Sequence, residues 1–340
     1  MNVNTLSKLA RALSPSGFEE RVRMELAEEL AEIGYEAKTD AVGNLYVTLG
    51  SGRPLLVLAA HMDEVGFLVR HVEDNGFLRV VALGGVNAAT AQGHEVVVMG
   101  ERGDVPGIVG ATPPHLREAQ PRELTVEDLY VDVGASSADE VTRAGIGVGA
   151  PVAFAPSFSD WGEYVAGKAL DDRVGCFALI EALRDCSGPK RGTVVVAFTV
   201  QEEVGLRGAT ALAHELKPDY AIAVEGTIAN DTPGTPPDRV VTRVGRGPAI
   251  RVMDRTIVAS QELLKHVKEL AERLGVPHQL QLSPYSGTDA GGFAQVGAAT
   301  TAISVPVRYI HAPVSLAKKS DIVYAVSLLR AVMEKPFPQP

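Results

Sequence analysis

An α/β fold, in which a mixed sheet is flanked by helices and interrupted by a β-rich insertion, is predicted by three features of the 340-residue chain. From Lys168 onward, apolar β-branched runs alternate with helical periods, the pattern of a layered α/β domain. Between about residues 68 and 160 the pattern changes to short β-runs broken by Gly and Pro, with few helical periods. Candidate residues for a single site lie on both sides of that stretch and must meet. Residues 1–67 and 161–340 are therefore expected to form one discontinuous domain, and 68–160 an insertion into it.

Taken in order, 6–13 and 18–33 carry helical periods, and strands follow at 45–47 and 55–60. Inside the insertion, 77–82, 95–99 and 129–133 read as β-runs. The apolar stretch 145–158 is rich in Gly and Pro and reads as loop and short strand. The final part predicts helix 173–184, strand 193–200, helix 206–214, strand 220–225, helix 257–274, strand 299–304 and helix 316–334. The Gly84-Gly85 and Gly145 to Gly149 clusters read as turns. Neither links a strand to a helix through the Lys-Ser/Thr of a phosphate loop.

Glu202 and Glu203 end the apolar run that begins at Thr193. Two carboxylates emerging together from a buried strand are costly unless a cation or substrate uses them. Four other segments share this form. His61 and Asp63 close Pro54-Leu-Leu-Val-Leu-Ala-Ala-His-Met-Asp and point the same way on an extended strand, so Asp63 is placed to accept the second ring N–H of a ligating His61. Asp171 and Asp172 precede a helix, where a carboxylate can bridge two cations. Glu225 ends Tyr220-Ala-Ile-Ala-Val-Glu, and His311 follows the run from Thr301. Two His and three carboxylates, without thiolate, suit a pair of divalent ions such as Zn²⁺, Co²⁺ or Mn²⁺, and a spare carboxylate would serve as general base. A lone histidine at a strand end is more often structural. The agreement of five segments is what favours ligation here, whereas His71, His94, His214, His266 and His278 have no comparable setting and His115 reads as part of a turn.

The strings Ala60-His-Met-Asp-Glu-Val-Gly-Phe, Gly110-Ala-Thr-Pro-Pro-His-Leu, Lys168-Ala-Leu-Asp-Asp-Arg-Val-Gly, Gln201-Glu-Glu-Val-Gly-Leu-Arg-Gly-Ala, Gly245-Arg-Gly-Pro-Ala-Ile-Arg-Val-Met-Asp, Ser286-Gly-Thr-Asp-Ala-Gly and Val305-Pro-Val-Arg-Tyr-Ile-His occur in the order of the M42 metallo-aminopeptidases. The chain resembles that family over nearly its whole length. The resemblance implies a zinc-peptidase-like catalytic domain with two metal ions per subunit. His61 and Glu225 would hold one ion, Glu203 and His311 the other, and Asp171 would bridge them. Glu202 would be the general base that takes a proton from the attacking water and passes it to the leaving amine. Asp172 matches the residue that follows the bridging Asp and supports it. The resemblance further implies a β-barrel-like insertion that mediates dimer contacts, with dimers assembling into dodecamers. Two departures stand out: Glu225 where Asp is frequent, and His-Ala-Pro-Val-Ser, with Ala312 and Ser315, where His-Ser-Pro-Val-Glu is usual.

Composition sets the outer limits. A net charge of −10 and a pI near 5.4 argue against nucleic acid or an anionic membrane surface as partner. No run reaches the roughly 18 apolar residues of a membrane span. The segment from Met1 to Arg11 reads as an amphipathic helix without the apolar core of a signal peptide, so a cytoplasmic location is expected. Cys176 and Cys186, ten residues apart around one helix, are expected to be free thiols in a reducing compartment. The expected activity is thus release of N-terminal residues from peptides. Its rivals are another dimetal exopeptidase or deacylase, a glycoside hydrolase, which would leave the two histidines unexplained, and a non-catalytic metal-binding scaffold.

Overall fold

The computed structural model describes residues 1–113 and 123–338, so His115 lies outside the described residues. In chain order the first part contributes α1 (Val3–Arg11), α2 (Glu20–Glu32), β1 (Lys38–Thr39), β2 (Leu45–Ser51) and β3 (Leu55–His61). The middle supplies β4 (Gly66–Val72), β5 (Leu78–Leu83), α3 (Ala88–Ala91), β6 (Glu95–Gly100), β7 (Gly103–Ala111), β8 (Leu129–Asp132), α4 (Ala138–Arg143) and β9 (Pro151–Phe154). Next come β10 (Phe158–Trp161), β11 (Tyr164–Gly167), α5 (Leu170–Arg184), β12 (Gly192–Thr199), α6 (Arg207–Leu216) and β13 (Tyr220–Ile228). The last part is β14 (Ala249–Asp254), α7 (Gln261–Arg273), β15 (Gln279–Ser283), α8 (Ala290–Ala294), β16 (Ala299–Arg308), β17 (Ser315–Lys318) and α9 (Lys319–Glu334).

Eleven strands form a mixed sheet in the order β1-β2-β12-β3-β13-β16-β17-β11-β10, with β14 against β16 and β15 at its edge. Its centre, β12, β3, β13 and β16, is parallel. Every residue of β12 is buried, as a parallel strand covered on both faces requires. Alternate residues of one strand feed opposite layers. Leu56, Leu58 and Ala60 of β3 join a core with α1, α2, α5, α7 and α9, while Val57 and Ala59 pack against α6 and Phe293 of α8. Each buried Leu or Val stabilises the fold by about 1.5–3 kcal/mol, so these layers hold the strand ends rigidly in place.

The middle strands β4-β5-β8-β7-β6-β9 close into a barrel. Residues two apart, such as Phe67 and Val69, Leu78 and Val80, Val96 and Val98, fill a core of its own, where Phe67 meets Phe154 edge-on at 5.9 Å.

Several boundaries differ from the sequence expectation. Helix 257–274 begins only at Gln261, because Thr256 and Ile257 donate their N–H groups to Asp254 Oδ1 in a turn and Ser260 caps the helix. Residues 316–318, expected in a helix, belong to β17, which pairs with β11 and β16. The strands β10, β11, β14 and β15 and the helices α3 and α4, each of four to six residues, are not among the elements that the sequence predicted. At the start of α5, Asp171 and Asp172 have non-helical dihedrals and are joined by a cis peptide. Among the described residues no helix is long and apolar enough to cross a membrane. Both cysteines are free.

Candidate functional site

The parallel strands β3, β12, β13 and β16 end on the same edge of the sheet, where open α/β sheets bind ligands. His61 is the last residue of β3, paired with Thr199 at the end of β12, and three and four residues further on lie Glu202 and Glu203. Glu225 sits in the neighbouring β13, and His311 follows β16. A cavity of about 1280 Å³ opens on this edge, and His61, Asp171, Glu202, Glu203, Glu225 and His311 all line it.

Ligand-type atoms of His61, Asp171 and Glu203 lie within 4.8 Å of one another. Asp171 faces both histidines: Oδ1 is 3.3 Å from His61 Nε2 and Oδ2 is 3.2 Å from His311 Nε2. Glu203 Oε1 also lies 3.2 Å from His311 Nε2, yet it is buried and has no hydrogen-bond partner. Glu225 accepts the N–H of Asp289 through Oε1 at 3.1 Å. Glu202 offers a carboxylate to the cavity while its backbone is held from behind. Asp63 is fully buried, but the role expected of it is divided: His61 Nδ1 bonds the backbone carbonyl of Asp63 at 3.1 Å, and its carboxylate stands 3.4 Å away. That carboxylate instead accepts Ser16 Oγ at 2.6 Å and the N–H groups of Glu202 and Glu203 at 2.9 and 3.2 Å. Asp172 turns away from the cavity and ties β3 and β13 to α5 by accepting the N–H groups of His61, Gly226 and Gly175 at 3.1, 2.8 and 2.9 Å.

The electrostatics are those of a crowded anionic pocket. Burial opposes charging His61, yet Asp171, Asp63 and Glu202 outweigh it and raise its pKa well above the ordinary value. His311, against the same opposition, is raised to about 11 by Glu203 and Asp171. Burial would push Asp171 up, but the two histidines pull it below the usual carboxylate range. Glu202 and Glu225 rise well above that range, chiefly through burial and the neighbouring carboxylates. A divalent ion among these groups would take the place of protons, and Glu203 Oε1, 3.2 Å from His311 Nε2, is placed to serve as one of its ligands. Nitrogen and oxygen donors without thiolate fit a divalent ion. The close approach of Gly84 and Gly85 leaves space for the cluster. A Cβ on Gly85 would stand 2.9 Å from His311 Nδ1, and one on Gly84 3.1 Å from Glu203 Cβ.

Sequence reasoning gave no role to Arg251, Asp289, Ser16, Glu19 or the glycine pair as site-shaping residues. Arg251 is buried in the cavity wall, bonded through its terminal nitrogens to Asp254, Ser286 and Thr227. Asp289 is buried with Oδ1 unpartnered, and burial lifts it to about 6. Both stand in strings that carried the family resemblance, which was the available signal. Among the described residues the other histidines stay apart: His71, His94 and His214 are exposed, while His266 and His278 bond backbone carbonyls.

Residues 43–328 match the family described as M42 glutamyl aminopeptidase. A lysyl aminopeptidase of Pyrococcus furiosus is 34% identical over 340 residues, covering 97% of this chain and 96% of the relative. Among solved structures, a TET aminopeptidase from a marine sediment Thaumarchaeota archaeon superposes with a TM-score of 0.94 at 34% identity, covering 98% and 96% of the two chains. The TET1 peptidase of Pyrococcus horikoshii, described as assembling into a tetrahedron or a large octahedral shell, gives 0.88 at 36% identity, covering 98% and 99%.

Proposed function

The chain belongs to the M42 family of aminopeptidases and is a peptide-bond hydrolase, and from that premise we propose that it releases N-terminal residues from peptides at a site holding two divalent ions. The reading is carried by one observation: Asp171 presents a different oxygen to each of two histidines, beside a buried Glu203 oxygen whose close neighbour is His311 Nε2 at 3.2 Å.

His61 and Glu225 would hold one ion, His311 and Glu203 the other, and Asp171 would serve both; Zn²⁺ and Co²⁺ suit these donors, as does Mn²⁺. When bound, such ions supply Lewis-acid activation of the scissile carbonyl and of water. Glu202 does the proton work. Its carboxylate lines the cavity, its pKa is raised by burial and by neighbouring carboxylates, and it takes a proton from the attacking water and delivers it to the departing amine. Asp63 keeps Glu202 in place through its backbone. The free α-amino group of a peptide would bind an ion or an acidic side chain at this site, which would restrict cleavage to the N-terminus. Residues 68–160 are proposed to be an inserted domain that makes dimer contacts, although the barrel strands themselves run from Gly66 to Phe154 and β10 belongs to the main sheet; the dimers are proposed to build a dodecamer, which the assembling TET1 relative supports. A cytoplasmic location fits the proposal.

The test is hydrolysis of Leu, Glu, Lys and Ala chromogenic amides, with an N-acetylated control, by chelator-stripped protein before and after addition of Co²⁺ or Zn²⁺. Metal-dependent release from free amino termini alone is expected. Hydrolysis of the blocked control, or activity indifferent to metal, would overturn the proposal.

A further inference from the structure

Strand β12 ends at Thr199, and the next four backbone N–H groups are all donated to side-chain oxygens. Val200 N–H goes to Asn44 Oδ1 at 3.0 Å, Gln201 to Glu19 Oε1 at 3.1 Å, Glu202 to Asp63 Oδ1 at 2.9 Å and Glu203 to Asp63 Oδ2 at 3.2 Å. Three separate segments thus converge on one loop. Gln201 has a positive φ of 54°, a conformation that a non-glycine residue holds only when its surroundings impose it.

Glu19 is the member of this set that the proposed chemistry leaves without a task. It is buried at 5% exposure and does not line the cavity. It stands at the start of α2, but its side chain makes no capping bond there. Instead Oε1 accepts Gly17 N–H at 2.7 Å in addition to Gln201 N–H, which folds the Ser16–Glu19 turn against the loop. Ser16, in the same turn, bonds Asp63. A buried carboxylate is costly unless its oxygens are used, and here both donors are backbone groups of loops that meet at the site.

We infer that Glu19 is a positioning residue for peptide hydrolysis: by accepting Gln201 N–H it sets the backbone from which Glu202 and Glu203 project. The inference rests on the base role proposed for Glu202. One peptide unit separates Gln201 from Glu202, so release of this anchor displaces the carboxylate directly, and a misplacement of about 1 Å can cost about 10²-fold in rate.

The experiment compares Glu19→Leu, Glu19→Asp and Glu19→Gln in the full chain, with Glu202→Gln as control. The readouts are kcat and KM on an aminoacyl amide, the visible spectrum of the Co²⁺-loaded protein and the melting temperature. Glu19→Leu is expected to lower kcat about 10- to 100-fold with KM within about threefold, and to alter the Co²⁺ spectrum through Glu203. Glu19→Gln keeps an accepting oxygen and should return kcat to within about threefold of the parent, whereas Glu19→Asp, one methylene short, falls between. Parent-like kcat in Glu19→Leu overturns the inference, as does equal loss in the Leu and Gln variants, which would make charge and not hydrogen-bond acceptance the cause. Should Glu19→Leu fail to fold, the Asp and Gln pair decides: Asp equal to the parent overturns it. Parent-like turnover of Glu202→Gln would instead remove the base assignment, while the Co²⁺ spectra of the Glu19 variants would still report on loop position.

Discussion

Asp63 grips Glu202 by its backbone: Asp63 Oδ1 accepts the Glu202 N–H at 2.9 Å across 139 residues of sequence. The other oxygen takes Glu203 N–H and the Ser16 hydroxyl, so one fully buried carboxylate orients the ends of two adjacent strands. Asp63→Asn replaces one acceptor by a donor that opposes an N–H. A loss in kcat of about 10- to 100-fold is expected, with metal content retained. Steady-state kinetics with metal analysis check it.

Glu202→Gln removes the proton acceptor without removing a metal donor. Turnover should fall by about 10²- to 10⁴-fold while the protein still binds metal. Kinetics and elemental analysis on one preparation check both halves, and unchanged turnover takes Glu202 out of the base role.

Asp171→Asn deprives the histidines of the carboxylate they share. An amide offers one accepting oxygen where two are used, at 3.3 and 3.2 Å from His61 and His311. Loss of both ions is expected, and a variant that still retains two by elemental analysis contradicts the shared position.

Metal binding at pH 7 should release protons. His311, raised to about 11, holds its proton in the metal-free protein, and a ligating imidazole must give it up. Affinity should therefore climb with pH. Calorimetry in two buffers of different ionisation enthalpy measures the number released, expected to be at least about one per protein.

Behind the site, Lys168 Nζ lies 2.7 Å from both oxygens of Glu64, with both side chains almost wholly buried. Glu64→Leu strands that ammonium and should destabilise the fold by about 3–5 kcal/mol in urea unfolding. Burial lowers Lys168 to about 8 from the ordinary 10.5. The unfolded chain therefore binds more protons between those values, and this group makes stability rise with pH across that window.

Much of the site was legible because its donors close strands whose apolar runs are local signals. Thr193 to Thr199 announces β12, and a buried strand leaves few places for Glu202 and Glu203 except the sheet edge. Asp63 was legible in position but only in part of its use, since its carboxylate stands 3.4 Å from His61 Nδ1 and also holds the N–H groups of Glu202 and Glu203. Period-two geometry placed its carboxylate on the His61 ring, whereas the chain leaves β3 at His61, and its carbonyl takes the ring nitrogen. β17 was misread as the start of α9 because four residues show no period of their own, and pairing with β11 and β16 decided their conformation.

Residue order thus carries the fold class, the strand ends and the types of donor, since each depends on hydrophobic patterning over a few neighbours. Which oxygen meets which nitrogen depends on the order of strands in the sheet. β12 lies between β2 and β3, bringing Asn44 and Asp63 to a loop more than 130 residues away, and the start of α2 brings Glu19 to the same loop. Such hydrogen bonds form between groups far apart in the chain and leave no periodic trace in it. Folding sets them through the packing of whole layers, and the roles of Glu19, Arg251 and the Gly84-Gly85 turn became visible only there.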